Sequence, residues 1–243
     1  MIDLHCHIHY GVDDGPHNKE ESLAFAKALV DAGVTTVACT SHLRRDKNWI
    51  NDKSVQMQMH ARLNALLDEE NVPLKRVEGA EHYLDELTID TCEKKMMVPY
   101  TNTSWILLEL PYRYAPPNML KTLYNIRRFG YRLLLAHIER FDYVYENEQM
   151  LENFVNAGYA IQVNLGSLAG AYNRKQRKAA EKLVLDGWAS VAASDCHWSK
   201  DVNPCLIKGL KALRKLAGEE VVQTLTVDNP QKILNNEGAD NLL

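Results

Sequence analysis

Seven short apolar runs recur along the chain, each followed by a segment of helical character, and this alternation limits the fold more than any other feature. The runs begin near Met1, Val34, Leu74, Ser104, Tyr131, Tyr159 and Trp188. Val34-Thr35-Thr36-Val37-Ala38-Cys39-Thr40 has the β-branched composition of a strand. Ser104-Trp105-Ile106-Leu107-Leu108 is apolar without alternation, as in a strand buried on both faces of a parallel sheet. Helices are expected at about 19–32, 53–70, 85–94, 118–129, 147–157, 173–186, 204–217 and 219–226, with a last short one after Asp228-Asn229-Pro230. Asn18-x-x-Glu21 resembles a capping signal, and Gly33, Gly130, Gly158 and Gly187 are natural stops. The charged stretch 43–52 reads as an exposed loop. Strands alternating with helices predict a parallel α/β domain, either an open sheet or a barrel. No repeat, linker or composition shift divides the chain, so 1–243 reads as a single domain with 236–243 as a frayed tail.

Chemistry in parallel α/β folds gathers at the carboxyl ends of the strands. Six of the seven runs end on metal-compatible side chains: His5 and His7, His42, Glu81, Glu109, His137, and Asp195 with His197. The other run ends on Asn164. An open sheet scatters its strand ends along a line, whereas a closed barrel brings them to one rim, so the distribution favours a barrel. Alternation along a strand puts His5 and His7 on one side and Leu4 and Cys6 on the other. Asp195-Cys196-His197 repeats that parity, which makes Cys6 and Cys196 packing residues rather than ligands. His5 and His7 alone fit an ordinary polar strand end as well as a metal clip. Glu109 alone fits a buried salt-bridge partner, and His42 alone a helix cap. Their common placement at the same end of six runs is what those separate readings do not explain. Asp14, in the loop Val12-Asp13-Asp14-Gly15-Pro16, brings the set to nine: five His, two Asp and two Glu. Nitrogen and oxygen donors without thiolate suit Mn, Fe or Zn in hydrolytic centres, and nine serve two or three ions if a carboxylate bridges. Closely spaced ions acidify a water to hydroxide and clamp an in-line displacement, so phosphate ester hydrolysis is the natural reaction class. Of the remaining histidines, His60 reads as a surface residue, His82 as pointing away, and His9 and His17 as loop residues beside the site.

Composition removes several function classes. The chain has 243 residues, 46% hydrophobic and 25% charged, with a net charge of −4, so no basic excess points to nucleic acid or anionic lipid. No apolar run approaches the ~20 residues needed to span a bilayer. The N-terminus lacks a signal-peptide pattern. Five Cys without C-x-x-C read as reduced thiols of a cytoplasmic protein.

Taken together, His5-x-His7, Val12-Asp13-Asp14-Gly15-Pro16, Thr40-Ser41-His42, Gly79-Ala80-Glu81, Leu108-Glu109, Ala136-His137-Ile138-Glu139-Arg140 and Ala193-Ser194-Asp195-Cys196-His197 resemble the polymerase-and-histidinol-phosphatase (PHP) superfamily. Within it they look closest to the CpsB-like protein-tyrosine phosphatases of bacterial capsule and exopolysaccharide operons. The resemblance implies a distorted seven-stranded (β/α)7 barrel, similar to a TIM barrel, with a trinuclear and often manganese-dependent centre. One ion would be held by His5, His7, Glu81 and Asp195. A second would have Glu81 as bridge with Glu109 and His137, and a third Asp14, His42 and His197. Arg140 matches the family's phosphate-binding arginine, and the catalytic set is Arg140 with Asp14 and His42. The implied reaction is attack of a metal-bridging hydroxide on phosphotyrosine in the tail of a polysaccharide-chain tyrosine kinase. The alternative is a PHP phosphoesterase acting on a small phosphomonoester of the histidinol-phosphate type or on nucleic acid. One departure stands out: no Arg follows the last ligand His in Trp198-Ser199-Lys200-Asp201-Val202-Asn203-Pro204. Lys200 and Arg113 are the candidates for a second anion contact.

Overall fold

Two of the expected strands break in the middle, and the breaks shape the site. In the computed structural model, which describes residues 1–44, 47 and 52–242, the chain forms nine strand segments among the described residues. They are β1 (Ile2–Cys6), β2 (Thr36–Cys39), β3 (His42–Leu43), β4 (Lys75–Glu78), β5 (Glu81–Tyr83), β6 (Trp105–Glu109), β7 (Arg132–Leu135), β8 (Ala160–Asn164) and β9 (Val191–Ala193). The runs expected at 34–40 and 74–80 each continue past a kink, β2 into β3 and β4 into β5. At the first kink Thr40 Oγ1 enters the ladder and accepts the Cys6 backbone N–H at 2.9 Å. At the second, a Cβ on Gly79 would lie 2.9 Å from the Tyr100 ring, so only glycine lets that ring close over the chain. Beyond the kinks His42 and Glu81 stand directly opposite each other.

Every strand pair is parallel, in the orders β1-β2-β4 and β3-β5-β6-β7-β8-β9. The first strand also meets the segment after the last one. Cys6 bridges Cys196 in parallel, Asp195 N donates to His5 O at 2.9 Å, and His7 N donates to Cys196 O at 2.9 Å. Asp3 Oδ1 accepts the Ser194 N–H at 3.0 Å across the same seam. The strands are thus closed into a ring, as the pooling of ligands at the strand ends requires.

The core has two layers. An inner cluster takes alternate residues from the strands, including Ile2, Leu4, Ala38, Val77, Trp105, Leu107, Leu134, Ala136 and Val191. The outer cluster takes the other strand faces with the helices that cover them. A fully buried leucine such as Leu134 contributes enough that truncation to Ala costs about 2–5 kcal/mol. Leu4 and Cys6 do not share a side: Leu4 lies in the inner cluster and Cys6 in the outer one. The register of β1 against β2 shifts between Asp3 and Cys6, and that irregularity resets the alternation.

Helices follow the expected pattern. Asn18 caps α1 (Lys19–Asp31) by accepting the Glu21 N–H at 3.0 Å, and Asp52 caps α2 (Lys53–Glu69) by accepting that of Val55 at 2.9 Å. The two helices expected at 204–217 and 219–226 are separated as expected, by a kink at the non-helical Gly218, φ 87°. Residues 236–242 are not frayed. Trp105 Nε1 donates to Glu237 O at 2.9 Å, and Leu242 is buried in the inner cluster, its carbonyl accepting from Asn229 Nδ2 at 2.6 Å. The apolar bottom of the ring needs a cover, and the tail supplies it. The loop expected at 43–52 lies largely outside the described residues. Among the described residues no helix is long and apolar enough to cross a membrane.

Candidate metal centre

Hydrogen bonds at the rim assign the tautomers of the first two histidines. His5 Nδ1 lies 3.0 Å from Gln162 Oε1. That atom is an oxygen because the His137 backbone N–H also donates to it, at 3.2 Å, while Gln162 Nε2 donates to Asn164 Oδ1 at 2.7 Å. His7 Nδ1 lies 2.9 Å from Asp13 Oδ2, which also accepts the His42 backbone N–H at 2.9 Å. Both histidines therefore carry a proton on Nδ1 and turn Nε2, the atom free to ligate, toward the centre. The two Nε2 atoms face each other at 3.1 Å. Both also face Glu81 Oε2, at 3.2 and 3.3 Å, and Asp195 Oδ1, at 3.2 and 3.4 Å. Glu81 Oε2 is fully buried, and none of its close contacts has hydrogen-bond geometry. Four electron-pair donors that converge out of water need a cation between them. Donors 3.1–3.4 Å apart are spaced as two ligands about 2 Å from one ion would be, the length of a zinc–nitrogen or zinc–oxygen bond. The charge balance agrees. Burial disfavours charge on His5, yet the carboxylates of Glu81 and Asp195 outweigh it and raise its pKa to about 9. Burial likewise opposes charge on Glu81 and Asp195, and the surrounding imidazoles still hold both well below the usual carboxylate range.

Glu81 is the hub. Its Oε1 lies 2.8 Å from His137 Nε2, and its Oε2 lies 2.8 Å from His42 Nδ1. Asp14 Oδ1 sits 3.3 Å from His197 Nε2 and 3.8 Å from His42 Nε2. The His197 ring stacks on His7 at 3.9 Å. All nine candidates fall into four overlapping groups whose ligand atoms lie within 4.8 Å: His5-His7-Glu81, His5-His137-Asp195, His42-Glu81-Glu109 and His7-Asp14-His42-His197. Glu109 thus groups with His42 and Glu81 rather than with His137. Its Oε2 is held at 2.7 Å by Arg44 Nη1. Burial and the Glu81 charge push Glu109 up to about 8, against the pull of Arg44.

Backbone strain aims two of these side chains. His137 and Asp195 have φ of 35° and 51°, a region that non-glycine residues enter at a cost of about 1–3 kcal/mol when other contacts enforce it. Asn164 Nδ2, 2.6 Å from Asp195 Oδ2, is one such contact. The Asp13-Asp14-Gly15 turn packs so tightly that a Cβ on Gly15 would run into the His7 carbonyl. Asp13 is buried and orients His7, whereas Asp14 is half exposed and faces the rim.

The centre opens into a cleft of ≈ 490 Å³ lined by Arg140, Arg44, Tyr112, Tyr172 and Trp198, among others. Arg140 Nε donates to Tyr112 Oη at 2.7 Å and its Nη1 lies 3.4 Å from Asp195 Oδ2. Its side chain is 27% exposed, facing the cleft. Arg113 and Lys200 are exposed and do not line the cleft. Lys200 instead lies 5.4 Å from the Trp198 ring. Arg44 lines the cleft and they do not. Nothing in its charged stretch of sequence distinguishes it from its neighbours. Cys6 and Cys196 are buried free thiols, and His82 points away, its Nε2 accepting the Val98 N–H at 3.1 Å. His17 is exposed and sits edge-on to Trp198 at 4.8 Å. His60 is not a surface residue. It is half-buried and meets the buried His9 edge to face at 5.8 Å, because α2 turns that side toward the sheet.

Comparison with known proteins agrees with this geometry. The family described as capsular polysaccharide synthesis, CpsB/CapC, matches residues 1–235. Tyrosine-protein phosphatase YwqE of Bacillus subtilis is 30% identical over 237 residues, covering 98% of this chain and 92% of its own. Tyrosine-protein phosphatase CpsB of Streptococcus pneumoniae is 27% identical, covering 98% and 99%. A crystal structure from work on YwqE and CpsB, described as unique metal-dependent tyrosine phosphatases, superposes with a TM-score of 0.88 at 29% identity, covering 98% and 95%. The chain belongs to the CpsB/CapC family.

Proposed function

We propose that this chain is a metal-dependent protein-tyrosine phosphatase whose divalent ions are held by His5, His7, Asp14, His42, Glu81, Glu109, His137, Asp195 and His197. The observation that carries the reading is the convergence of four ligand atoms from His5, His7, Glu81 and Asp195 at 3.1–3.4 Å. Bound there, the ions would acidify a water and neutralise charge on the phosphate. Manganese fits a set of imidazoles and carboxylates without thiolate, and iron or zinc is compatible with it.

The chain's own residues supply the rest. Tyr112 fixes Arg140 through Nε, so its remaining N–H groups present a planar fork to two phosphate oxygens at the cleft. Donors preset in this way stabilise charge developing in the transition state without reorganising. Tyr112, Tyr172 and Trp198 give the cleft flat apolar walls suited to an aryl phosphate. A phenolate with pKa ≈ 10 leaves without much proton donation, so no general acid is required. The five free thiols are all buried, and none is needed as nucleophile. Such thiols also suit the reducing cytoplasm. The names of the relatives support a phosphotyrosine substrate in capsule synthesis, and the specific partner we infer is the tail of a polysaccharide-chain tyrosine kinase.

The test is hydrolysis of a phosphotyrosine peptide with Mn²⁺, after chelation, and after Mn²⁺ is restored, run beside histidinol phosphate and single-stranded DNA. Activity on the peptide that vanishes on chelation and returns with metal is expected. Activity that survives chelation, or that prefers either of the other substrates, refutes the reading.

A further inference from the structure

A second cluster of metal-compatible side chains lies outside the centre and shares no residue with it. His9 follows β1, Cys39 is the last residue of β2, and His60 lies on α2. Their ring nitrogens and sulfur come within 4.8 Å of one another. His9 and Cys39 are fully buried. Neither ring nitrogen of His9 has a hydrogen-bond partner of acceptable geometry among the described residues, and His60 Nδ1 has none either. A neutral imidazole carries one donor and one acceptor, and burying either unmet is destabilising. A chain that buries both on one ring, and places a second imidazole and a thiol against it, has left electron pairs facing one another. Gln56, one turn before His60 on α2, sharpens the picture. Its Nε2 is anchored on Ser41 O at 2.8 Å, while its Oε1 lacks a well-formed partner and adjoins His9. That oxygen is placed to take one His9 N–H and leave the other nitrogen as a lone pair, the usual arrangement behind a metal-bound histidine.

The geometry points to a second metal site formed by His9, Cys39 and His60, which takes one borderline-soft divalent ion of the Zn²⁺ type with a water as fourth ligand. Two imidazoles and a thiolate are a donor set for zinc rather than manganese, so this site and the carboxylate-rich centre select different ions. On binding, the Cys39 S–H bond breaks heterolytically. The sulfur keeps the electron pair and donates it to the ion, and the proton passes to solvent, with no oxidant or reductant involved. The ion would tie α2 to the sheet and to the segment leading into the Asp13-Asp14 turn, a structural clip rather than a second reaction centre.

Cobalt(II) is the probe. It occupies zinc sites, and a thiolate ligand gives it a sulfur-to-metal charge-transfer absorption in the near ultraviolet that nitrogen and oxygen ligands do not. No ligand proposed for the main centre is a thiolate, so the band reports Cys39 alone. Titration of the full-length protein with cobalt is expected to bring the band to saturation. The band is expected to vanish in Cys39→Ser and to need at least about tenfold more cobalt in His60→Ala, with one fewer tightly bound zinc by mass spectrometry. His60 is half-buried, so its variant stands if the buried Cys39 substitution does not fold. No band in the wild-type protein, or a band that survives these substitutions in folded protein, overturns the site.

Discussion

Replacing Asp13 by Asn probes how far the proposed cage depends on a side chain that touches no ion. Asp13 is buried and accepts three N–H groups: His7 Nδ1 and His42 N on Oδ2, each at 2.9 Å, and Gly15 N on Oδ1 at 3.0 Å. Although burial opposes its charge, the His7 hydrogen bond keeps its carboxyl below the ordinary range. Asparagine has one oxygen. With that oxygen toward His7 and His42, its NH₂ faces the Gly15 N–H; turned over, it faces two donors instead of one. One unmet buried donor costs about 1–3 kcal/mol, and loss of the charge-assisted bond to His7 adds about 1 kcal/mol. The total of roughly 2–4 kcal/mol lowers the melting temperature by roughly 5–15 °C in a chain of this size. His7 would also lose its preference for a proton on Nδ1, which removes the Nε2 lone pair in part of the population. Loss of such an orienting partner lowers metal affinity about 10–100-fold. Thermal melts of the metal-free protein and calorimetric titration with Mn²⁺ measure the two effects separately. An Asp13→Asn protein that melts with the wild type and binds Mn²⁺ within twofold of it would refute the tautomer argument.

Other outcomes follow from the same geometry. Arg140→Lys keeps a charge but loses the fork, so kcat/KM on a phosphotyrosine peptide should fall about 10–150-fold, the equivalent of one charge-assisted bond of about 1.5–3 kcal/mol, with metal content unchanged. A loss under threefold would remove Arg140 from the phosphate site. Arg44→Ala removes the cation 2.7 Å from Glu109 Oε2, so Glu109 should hold its proton to still higher pH and bound metal, measured by mass spectrometry, should fall. Arg113→Ala and Lys200→Ala should leave melting temperature and bound metal as in the wild type, and a loss of metal in either would contradict the cleft as described. Burial raises the Glu139 pKa to about 7, despite hydrogen bonds from Ser167 and Asn164. Between the unfolded value near 4.3 and that pKa the native state binds more protons than the unfolded one, so stability falls as pH rises across this window and levels off above it. Glu139→Gln should flatten that slope in melts from pH 5 to 8, and an unchanged slope would exonerate Glu139.

The sequence by itself determined what is local. Alternating apolar runs and helical segments define a parallel α/β chain, and the residue types at the run ends select metal-compatible chemistry. Those signals depend on periodicity and on where a run stops, which neighbouring residues suffice to reveal. Closure of the ring was also foreshadowed, because His5, His7, Asp195 and His197 make sense together only if the two ends of the chain meet. Tertiary structure decided which nitrogen of each histidine is offered. His5 depends on Gln162, 157 positions away, and Gln162 and Asn164 are strand residues with no local mark of their role. It also decided that Leu4 and Cys6 part company, since a register shift is a property of the strand pair and not of either strand. Arg44 became the partner of Glu109, and 236–242 became the floor of the ring, for the same reason. Each is a contact between residues far apart in sequence, whose energy exists only once both surfaces have left water.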